Sequence, residues 1–411
     1  MNSFIFEIVS KYLDSTRDLI NMVKINTQCY YLFDRCKQNY IPIKNYEEFK
    51  LYTSIETYNK FNIDDYELKL NELNINKIIY HYPVFIDQID LNSKNKIYKY
   101  IQLKNNEITK NKSCYITPKN VFNIVFNMLC DNCFNSDINI KEIVLTDNIK
   151  ILGNSCFENC NFLKSVYGNG IEEVGENCFS HCYALEHVEL NNCRILKQNC
   201  FSNCYNLKYI KVNNVIEVGK YAFNNCNNLK NIDLNNALYL IYGCFEHCTK
   251  LTNIKIDNVK YIGYICFNSC YELDNLNIVN CDKIDYSAFE NCLKLKNIEL
   301  NPIKIKAKAF KDCISLVNVD LGNRIESLNL NSFENCTSLE NINLGDKIKV
   351  IPSSCFRNCS NLVNVEGSGF EEIRLNSFEN CVKLNRINLS KVRKMFDNSF
   401  KNCKFKVIMM K

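Results

Sequence analysis

Apolar residues recur in this chain with a period of about 22 residues from residue 126 to the end. Each period contains one phenylalanine, and a cysteine stands three residues after it in twelve of thirteen cases, with Asp137 the exception. An aliphatic pair at two-residue spacing follows, as in Val188 and Leu190, which is the alternation of a strand. The thirteen phenylalanines, spaced 21 to 23 residues apart, are Phe134, Phe157, Phe179, Phe201, Phe223, Phe245, Phe267, Phe289, Phe310, Phe333, Phe356, Phe378 and Phe400.

A single unit of this length cannot bury its own apolar face, so it must stack on its neighbours. We therefore predict an α/β repeat solenoid of about thirteen rungs, each of 21–23 residues, over residues 126–411. Each rung contributes one strand to a parallel β-sheet and returns through a short extended piece. The segment that holds Phe and Cys is predicted to form one helical or 3₁₀ turn.

The repeat resembles a known family. Its pattern is V-x-x-I-G-x-x-C-F-x-N-C-x-x-L-x-x-I-x-L, seen in Val215–Leu234 and Val259–Ile278, and it is similar to the BspA-like leucine-rich repeat family. The resemblance covers residues 126–411. It implies a leucine-rich repeat scaffold that binds other molecules, known in this family on microbial surfaces and inside microbial eukaryotes.

The first part of the chain does not follow this repeat. Apolar residues at helical spacing predict a small helical region over residues 1–45. Residues 46–125 form a mixed region with short strands, among them the alternating run Ile97–Leu103, and are interpreted as degenerate repeats.

The predicted helices of residues 1–45 resemble an F-box-type module, although no Leu-Pro opens the motif and no Trp closes it. The resemblance implies binding to an adaptor of a ubiquitin ligase. The alternative is a capping segment that covers the apolar end of the solenoid. The positions that would contact the adaptor are Ile8, Val9, Leu13, Leu19 and Val23.

Of the 25 cysteines, 21 fall on the apolar columns of the repeat, where Cys packs as a small hydrophobic residue. Pairs such as Cys178 and Cys182 supply only half of a tetrahedral zinc shell, and the repeat itself reproduces them. Stacked parallel side chains also hold their Cβ atoms about 4.8 Å apart, beyond the disulfide range. We therefore expect reduced thiols, no metal and no cofactor, and a place in the cytoplasm or the nucleus.

Charge and motifs narrow the function further. The formal charge is +5, from 50 Lys and Arg against 45 Asp and Glu, and no basic block favours nucleic acid. No apolar run is long enough for a membrane span, and Met1 to Leu13 lacks the features of a signal peptide. Phosphate-binding, dinucleotide-binding, zincin and nucleophile-elbow motifs are missing from the sequence. We expect no catalytic residues and no enzymatic activity.

The outward positions of the predicted sheet are the candidate binding surface. Its N-terminal end is the richest in aromatic residues, the type enriched at interface hot spots. Further along, asparagine recurs seven times in one column, from Asn231 to Asn364, and is interpreted as a stacked amide ladder rather than a ligand-binding stripe. The predicted partner-binding residues are Tyr167, His187, Glu189, Tyr209 and Lys211.

Three functions remain open. The first is a non-enzymatic protein-protein interaction scaffold, the second is the substrate receptor of an F-box-type ubiquitin ligase, and the third is a surface adhesin. Residues 387–411 at the end of the array offer a sheet edge, which predicts weak self-association.

Overall fold

The computed structural model describes residues 127–404 in full and, before them, the backbone of five strands. Residues 1–45, where helices and an F-box-like segment are predicted, lie outside the described residues, as do residues 405–411. The five strands are β1 (Thr57–Lys60), β2 (Lys77–Phe85), β3 (Lys96–Leu103), β4 (Ile108–Lys110) and β5 (Tyr115–Pro118).

The chain divides into two compact units, of which the first is Met1–Lys104 with Asn120–Met128. In this unit β1 pairs with β2, and β2 pairs with β3, both in parallel. The register of the second pair shifts between Tyr80 and Pro83. Strand β3 coincides with the alternating run predicted there.

The second unit, Asn105–Lys119 with Leu129–Lys411, holds the repeat array. Each rung contributes a strand to a front row. The front-row strands are β7 (Glu142–Leu145), β9 (Ser165–Tyr167), β11 (His187–Glu189), β13 (Tyr209–Lys211), β15 (Asn231–Asp233), β17 (Asn253–Lys255), β19 (Asn275–Ile278), β21 (Asn297–Leu300), β23 (Asn318–Asp320), β24 (Asn341–Asn343), β26 (Asn364–Glu366) and β28 (Arg386–Ile387). They pair in parallel in three groups, β7 to β13, β15 with β17, and β19 to β28. Strands β4 and β5 form an antiparallel hairpin, and β5 pairs with β7.

A back row of two-residue strands accompanies the front row. These strands are β6 (Met128–Leu129), β8 (Ile151–Leu152), β10 (Glu173–Val174), β12 (Ile195–Leu196), β14 (Glu217–Val218), β16 (Tyr239–Leu240), β18 (Tyr261–Ile262), β20 (Lys283–Ile284), β22 (Lys304–Ile305), β25 (Val350–Ile351), β27 (Glu372–Ile373) and β29 (Lys394–Met395). The row is parallel, and a single bridge between Lys304 and Ser327 replaces a strand pair in one rung. The predicted parallel sheet and extended return piece are thus confirmed.

The core of the array is a continuous stack of the thirteen repeat phenylalanines. Neighbouring ring centroids lie 5.1 to 5.7 Å apart, and the planes of the rings differ by at most 11°. From Phe134 to Phe378 these side chains are almost wholly buried. The 22-residue period therefore reports the packing of one ring on the next.

The backbone around each Phe forms turns rather than helix. In the Phe179 rung, Asn177 two residues before the ring has φ 53°, and His181 two residues after it has φ 60°. A right-handed helix cannot pass through such left-handed residues. The predicted helical or 3₁₀ turn is therefore wrong, because none of the residues that the structure describes is helical.

The same segment makes hydrogen bonds to the next rung instead. The N–H groups of Asn177, Phe179 and His181 donate to carbonyl oxygens of the following rung at 2.9, 2.8 and 2.9 Å. The pattern recurs around the other repeat phenylalanines. The left-handed residues on either side of each Phe thus turn these N–H groups along the stack.

The cysteine after each Phe has a role beyond packing. All twelve of these thiols donate to the carbonyl oxygen of the Phe in the preceding rung, with Sγ···O distances of 3.0 to 3.2 Å. Cys270, for example, donates to Phe245, whose oxygen also accepts the N–H of Cys248. Both lone pairs of this buried carbonyl are therefore used. Size alone, the basis of the sequence interpretation, does not explain this column.

Charged side chains directly after the phenylalanines form a ladder of alternating sign, called here the charge ladder. Its five successive N···O distances run from 3.1 to 3.8 Å. The side chains of Glu334 and Glu379 are only 10% exposed. Its members are Glu290, Lys311, Glu334, Arg357, Glu379 and Lys401.

One left-handed position carries an unfavourable residue. Ile265 has φ 48°, and a β-branched side chain at such an angle costs about 1–2 kcal/mol. We predict that Ile265→Asn raises the free energy of unfolding by about 1 kcal/mol, measured by urea denaturation. Ser155 at φ 51° is the matched control, and Ser155→Ile should lower stability by a similar amount. Equal stability of Ile265→Asn and the wild type would contradict the strain.

Two cysteines that flank Phe267 separate packing from hydrogen bonding. Cys266 and Cys270 are both fully buried, but only Cys270 occupies the column that donates to a Phe carbonyl. We predict that Cys270→Ala costs about 2 kcal/mol, because it leaves a small cavity and an incompletely satisfied carbonyl. Cys266→Ala should cost less than about 1 kcal/mol, since alanine fills the equivalent position at Ala222 and Ala288. Equal losses in thermal or urea unfolding would show that the thiol hydrogen bond contributes nothing.

Candidate functional site

The front row exposes two columns of side chains, because successive residues of a strand point to opposite faces. In β11 the side chain of Val188 is fully buried, whereas His187 and Glu189 on either side of it are partly exposed. The same alternation holds in the other front strands of the array. Any ligand of this sheet therefore meets only these two columns.

The five residues predicted to bind a partner lie on three neighbouring strands, β9, β11 and β13. His187 is in register with Tyr209, and Glu189 lies between Tyr167 and Lys211. We call these five residues the N-terminal patch. The structure brings them together as one surface, while their role in binding stays a prediction.

Aromatic stacking holds the N-terminal patch in place. The rings of His187 and Tyr209 stack with centroids 4.5 Å apart, and Tyr167 contacts the other side of His187 at 5.5 Å. The imidazole Nε2 of His187 lies 3.0 Å from a carboxylate oxygen of Glu189. Tyr209 remains 43% exposed. The patch offers partly exposed rings beside a carboxylate and an ammonium group, which suits binding.

Asparagines hold one of the two exposed columns along the middle of the front row, and some of them bond to each other. The side chains of Asn253, Asn297 and Asn341 each donate to the asparagine one rung before, at 2.9 to 3.1 Å. Asn364, the last of the seven, donates instead to Glu366. The predicted amide ladder is thus confirmed in part, since three of its six steps are hydrogen-bonded.

A longer amide ladder was missed by the sequence analysis. It follows the left-handed position two residues after each Phe, where asparagine is the commonest residue. Four successive bonds of 2.6 to 2.8 Å join its side chains. The signal was present in the sequence, since asparagine tolerates left-handed φ better than most residues. The ladder runs through Asp312, Asn335, Asn358, Asn380 and Asn402.

The cysteines of the array are poor nucleophiles and poor metal ligands. Burial raises the pKa of the Cys193 thiol to about 12 and that of Cys403, at the last described rung, to about 11. Burial also raises the pKa of thiols deeper in the array, such as those of Cys182 and Cys270. Nucleophilic attack and metal binding both need the thiolate. Among the described residues, no His, Cys, Asp and Glu side chains are grouped as three or more metal ligands.

His181 stands next to Cys182 but does not activate its thiol. The Nδ1 of His181 lies 3.0 Å from the hydroxyl of Tyr183. The neighbouring Cys182 thiol donates to the carbonyl of Phe157. His181 is therefore a turn residue with left-handed φ.

The predicted adaptor-binding residues Ile8, Val9, Leu13, Leu19 and Val23 lie outside the described residues.

No helix within the described part of the chain is long and apolar enough to cross a membrane.

Comparison with known proteins identifies the repeat. A family described as a BspA type leucine rich repeat region (6 copies) matches residues 127–243, 199–303 and 282–406. These overlapping matches cover more than half of the chain. No curated protein matches it.

Several solved structures are similar. A leucine rich cell surface protein from Faecalibacterium prausnitzii is 18% identical, with 73% of this chain and 96% of that chain covered and a TM-score of 0.39. A leucine-rich repeat protein from Eubacterium ventriosum is 16% identical, with coverages of 74% and 94% and a TM-score of 0.39. The pneumococcal vaccine antigen PcpA is 15% identical, with coverages of 78% and 82% and a TM-score of 0.42.

The raised thiol pKa values predict how stability depends on pH. Thiols of the unfolded chain ionise near about pH 8.5, whereas the buried thiols stay protonated. The unfolded state then binds fewer protons than the folded state, so stability is full below about pH 8.5 and falls as the pH rises towards the folded-state pKa. We expect the ultraviolet absorbance of thiolate to appear together with the loss of β-sheet circular dichroism. Thiolate absorbance in a protein that keeps its native circular dichroism would contradict the burial argument.

Proposed function

We propose, on the premise that this chain belongs to the BspA-type leucine-rich repeat family, that it is a non-enzymatic scaffold that binds a protein partner through the N-terminal patch. The observation that supports this most directly is the ring triplet of Tyr167, His187 and Tyr209, which stacks across three neighbouring strands and stays partly exposed. Aromatic side chains carry a large share of the binding energy in protein interfaces. Among the front strands from β7 to β28, such rings adjoin at this place alone.

Pre-ordering of the rings favours tight binding. Immobilising a side chain on association costs about 0.5–1.5 kcal/mol, and rings that are already stacked have less freedom to lose. The hydrogen bond between His187 and Glu189 fixes the imidazole further. Six asparagines further along the front row form three hydrogen-bonded pairs, so these amides have fewer unsatisfied groups to offer a ligand. A partner therefore gains most at the N-terminal patch.

We place the protein in a reducing compartment, in the cytoplasm or the nucleus. The twelve thiols after the repeat phenylalanines act as hydrogen-bond donors, and a disulfide would remove the donor hydrogen. A role as substrate receptor of an F-box-type ubiquitin ligase would use the N-terminal patch for its substrate. That role depends on residues 1–45. A third role, as an exported surface adhesin, would require the thiols to stay reduced outside the cell.

The proposal is tested by comparing the proteins retained by variants of the full-length chain. We expect at least one partner to bind the wild type and to be retained about tenfold less by Tyr209→Ala, as for loss of an interface hot spot. Tyr205→Ala is the matched control, because Tyr205 lies in the same rung and is 41% exposed against 43% for Tyr209. The bound proteins are quantified by mass spectrometry. Identical profiles for the two variants and the wild type would overturn the assignment of the patch.

A further inference from the structure

A second exposed aromatic surface lies beside the back row, in the middle of the array. Tyr242, Tyr264 and Tyr286 occupy the same position in three successive rungs and are 37%, 40% and 44% exposed. Tyr221 precedes them, and the centroids of neighbouring rings lie 5.0, 4.8 and 6.5 Å apart. We call these four residues the tyrosine ridge. It is separate from the N-terminal patch, which belongs to the front row.

The rungs of the tyrosine ridge depart from the local rules of the repeat. The left-handed position before each Phe is held by Asn, Ser or Lys in ten rungs, but by Tyr221, Gly243 and Ile265 in three of the four rungs of the ridge. A side chain at Gly243 would place its Cβ 2.5 Å from ring atoms of Tyr221, so that ring lies directly over the glycine. Tyr221 and Ile265 are unfavourable at left-handed φ, and positions that give up local stability in this way are often functional.

Further apolar side chains extend the tyrosine ridge. Leu238 and Tyr239 are 45% and 56% exposed, and Tyr239 is in register with Tyr261 on the next back-row strand. Tyr261 reaches the ridge through Asp285, which accepts its hydroxyl at 2.7 Å and the backbone N–H of Tyr286 at 2.8 Å. Leu238 and Tyr239 thus add exposed apolar side chains to the rung that holds Tyr242.

The charges around the tyrosine ridge are mainly positive. Asp285 is neutralised by Lys283 at 2.8 Å, and Asp282 pairs with Arg324. Glu217 is the exposed acidic residue of the adjoining back-row strand. The carboxylate of Glu246, which lies beside Gly243, is 19% exposed and accepts a hydrogen bond from the Asn224 side chain at 3.0 Å. No ion pair with a described residue is found for four exposed lysines nearby, while a fifth, Lys306, lies 5.8 Å from the ring centre of Tyr286. The four are Lys220, Lys260, Lys304 and Lys308.

The arrangement of the rings indicates which class of polyanion fits. Neighbouring ridge rings are inclined to each other by 62°, 31° and 51°, so they do not form a row of parallel faces. Binding of single-stranded nucleic acid relies on open ring faces on which bases stack. A polypeptide segment, in contrast, can pack its side chains against edges and hydroxyls and use lysines for its carboxylates.

We propose that the tyrosine ridge is a second binding surface, which takes an acidic segment of another polypeptide that carries aromatic or aliphatic side chains. The apolar groups of the segment pack on the ridge and on Leu238 and Tyr239. Its carboxylates pair with the surrounding lysines, which otherwise lack ionic partners among the described residues. This surface acts independently of the N-terminal patch.

Two polymers of opposite charge and equal tyrosine content test the proposal with the full-length protein. The probe is a fluorescently labelled random copolymer of glutamate and tyrosine, and the control is a copolymer of lysine and tyrosine with the same tyrosine content. Fluorescence anisotropy should show binding of the glutamate copolymer alone, weakening as salt is added. Tyr264→Ala should reduce the affinity about tenfold, and Lys306→Glu should reduce it in a salt-dependent way.

Matched variants keep the result specific. Tyr205→Ala removes a ring as exposed as Tyr264 and should leave the affinity unchanged, as should Tyr209→Ala in the N-terminal patch. Tyr264→Phe should retain most of the binding, and circular dichroism verifies that each variant folds. Absence of binding, equal binding of both copolymers, or equal loss in Tyr205→Ala overturns the proposal. Displacement of the glutamate copolymer by polyuridylate in a manner that needs Tyr264 also overturns it, in favour of nucleic acid.

Discussion

The whole array depends on the hydrogen bonds that leave each phenylalanine turn for the next rung. Left-handed residues two positions before and after Phe179 turn three N–H groups along the stack, and each finds a carbonyl one rung away. These bonds fix the rung spacing at which the phenylalanine rings pack on each other. They also bring the cysteine thiol after each Phe within reach of the Phe carbonyl in the preceding rung. The strand rows, the side-chain ladders and both exposed surfaces follow from that spacing.

Side-chain ladders then select a single register. In the charge ladder Glu334 and Glu379 each lie between two basic residues. A slip by one rung would bring like charges together at these partly buried positions. The amide ladder from Asp312 to Asn402 bonds only when equivalent positions align. A stack of similar rungs could otherwise pair in several ways. Polar columns thus provide a specificity that apolar packing alone lacks.

The sequence predicted what depends on period and missed what depends on backbone angle. Strand rows, buried columns and the proximity of His187 to Tyr209 follow from equal spacing in a parallel, in-register stack. The turn was mistaken for helix because the three-residue step from Phe179 to Cys182 also fits one helical turn. Asparagine in both flanking columns was the available contrary signal. Ring orientation is not encoded in period, and the tyrosine ridge lies outside the strand columns where a surface was sought.

The modular bonding of the rungs has a consequence for how such a scaffold can diversify. The described rungs are hydrogen-bonded to their immediate neighbours, apart from the bond between Arg324 and Asp282, which spans two rungs. The N-terminal patch and the tyrosine ridge occupy different rungs. Lys211 of the patch and Tyr221 of the ridge lie in adjacent rungs, and insertion of one whole rung between them would preserve the backbone hydrogen bonds of the phenylalanine turns. It would change the separation of the two surfaces by one step of about 4.8 Å. Such a chain can therefore adjust the distance between two bound molecules in discrete increments, without redesigning either contact.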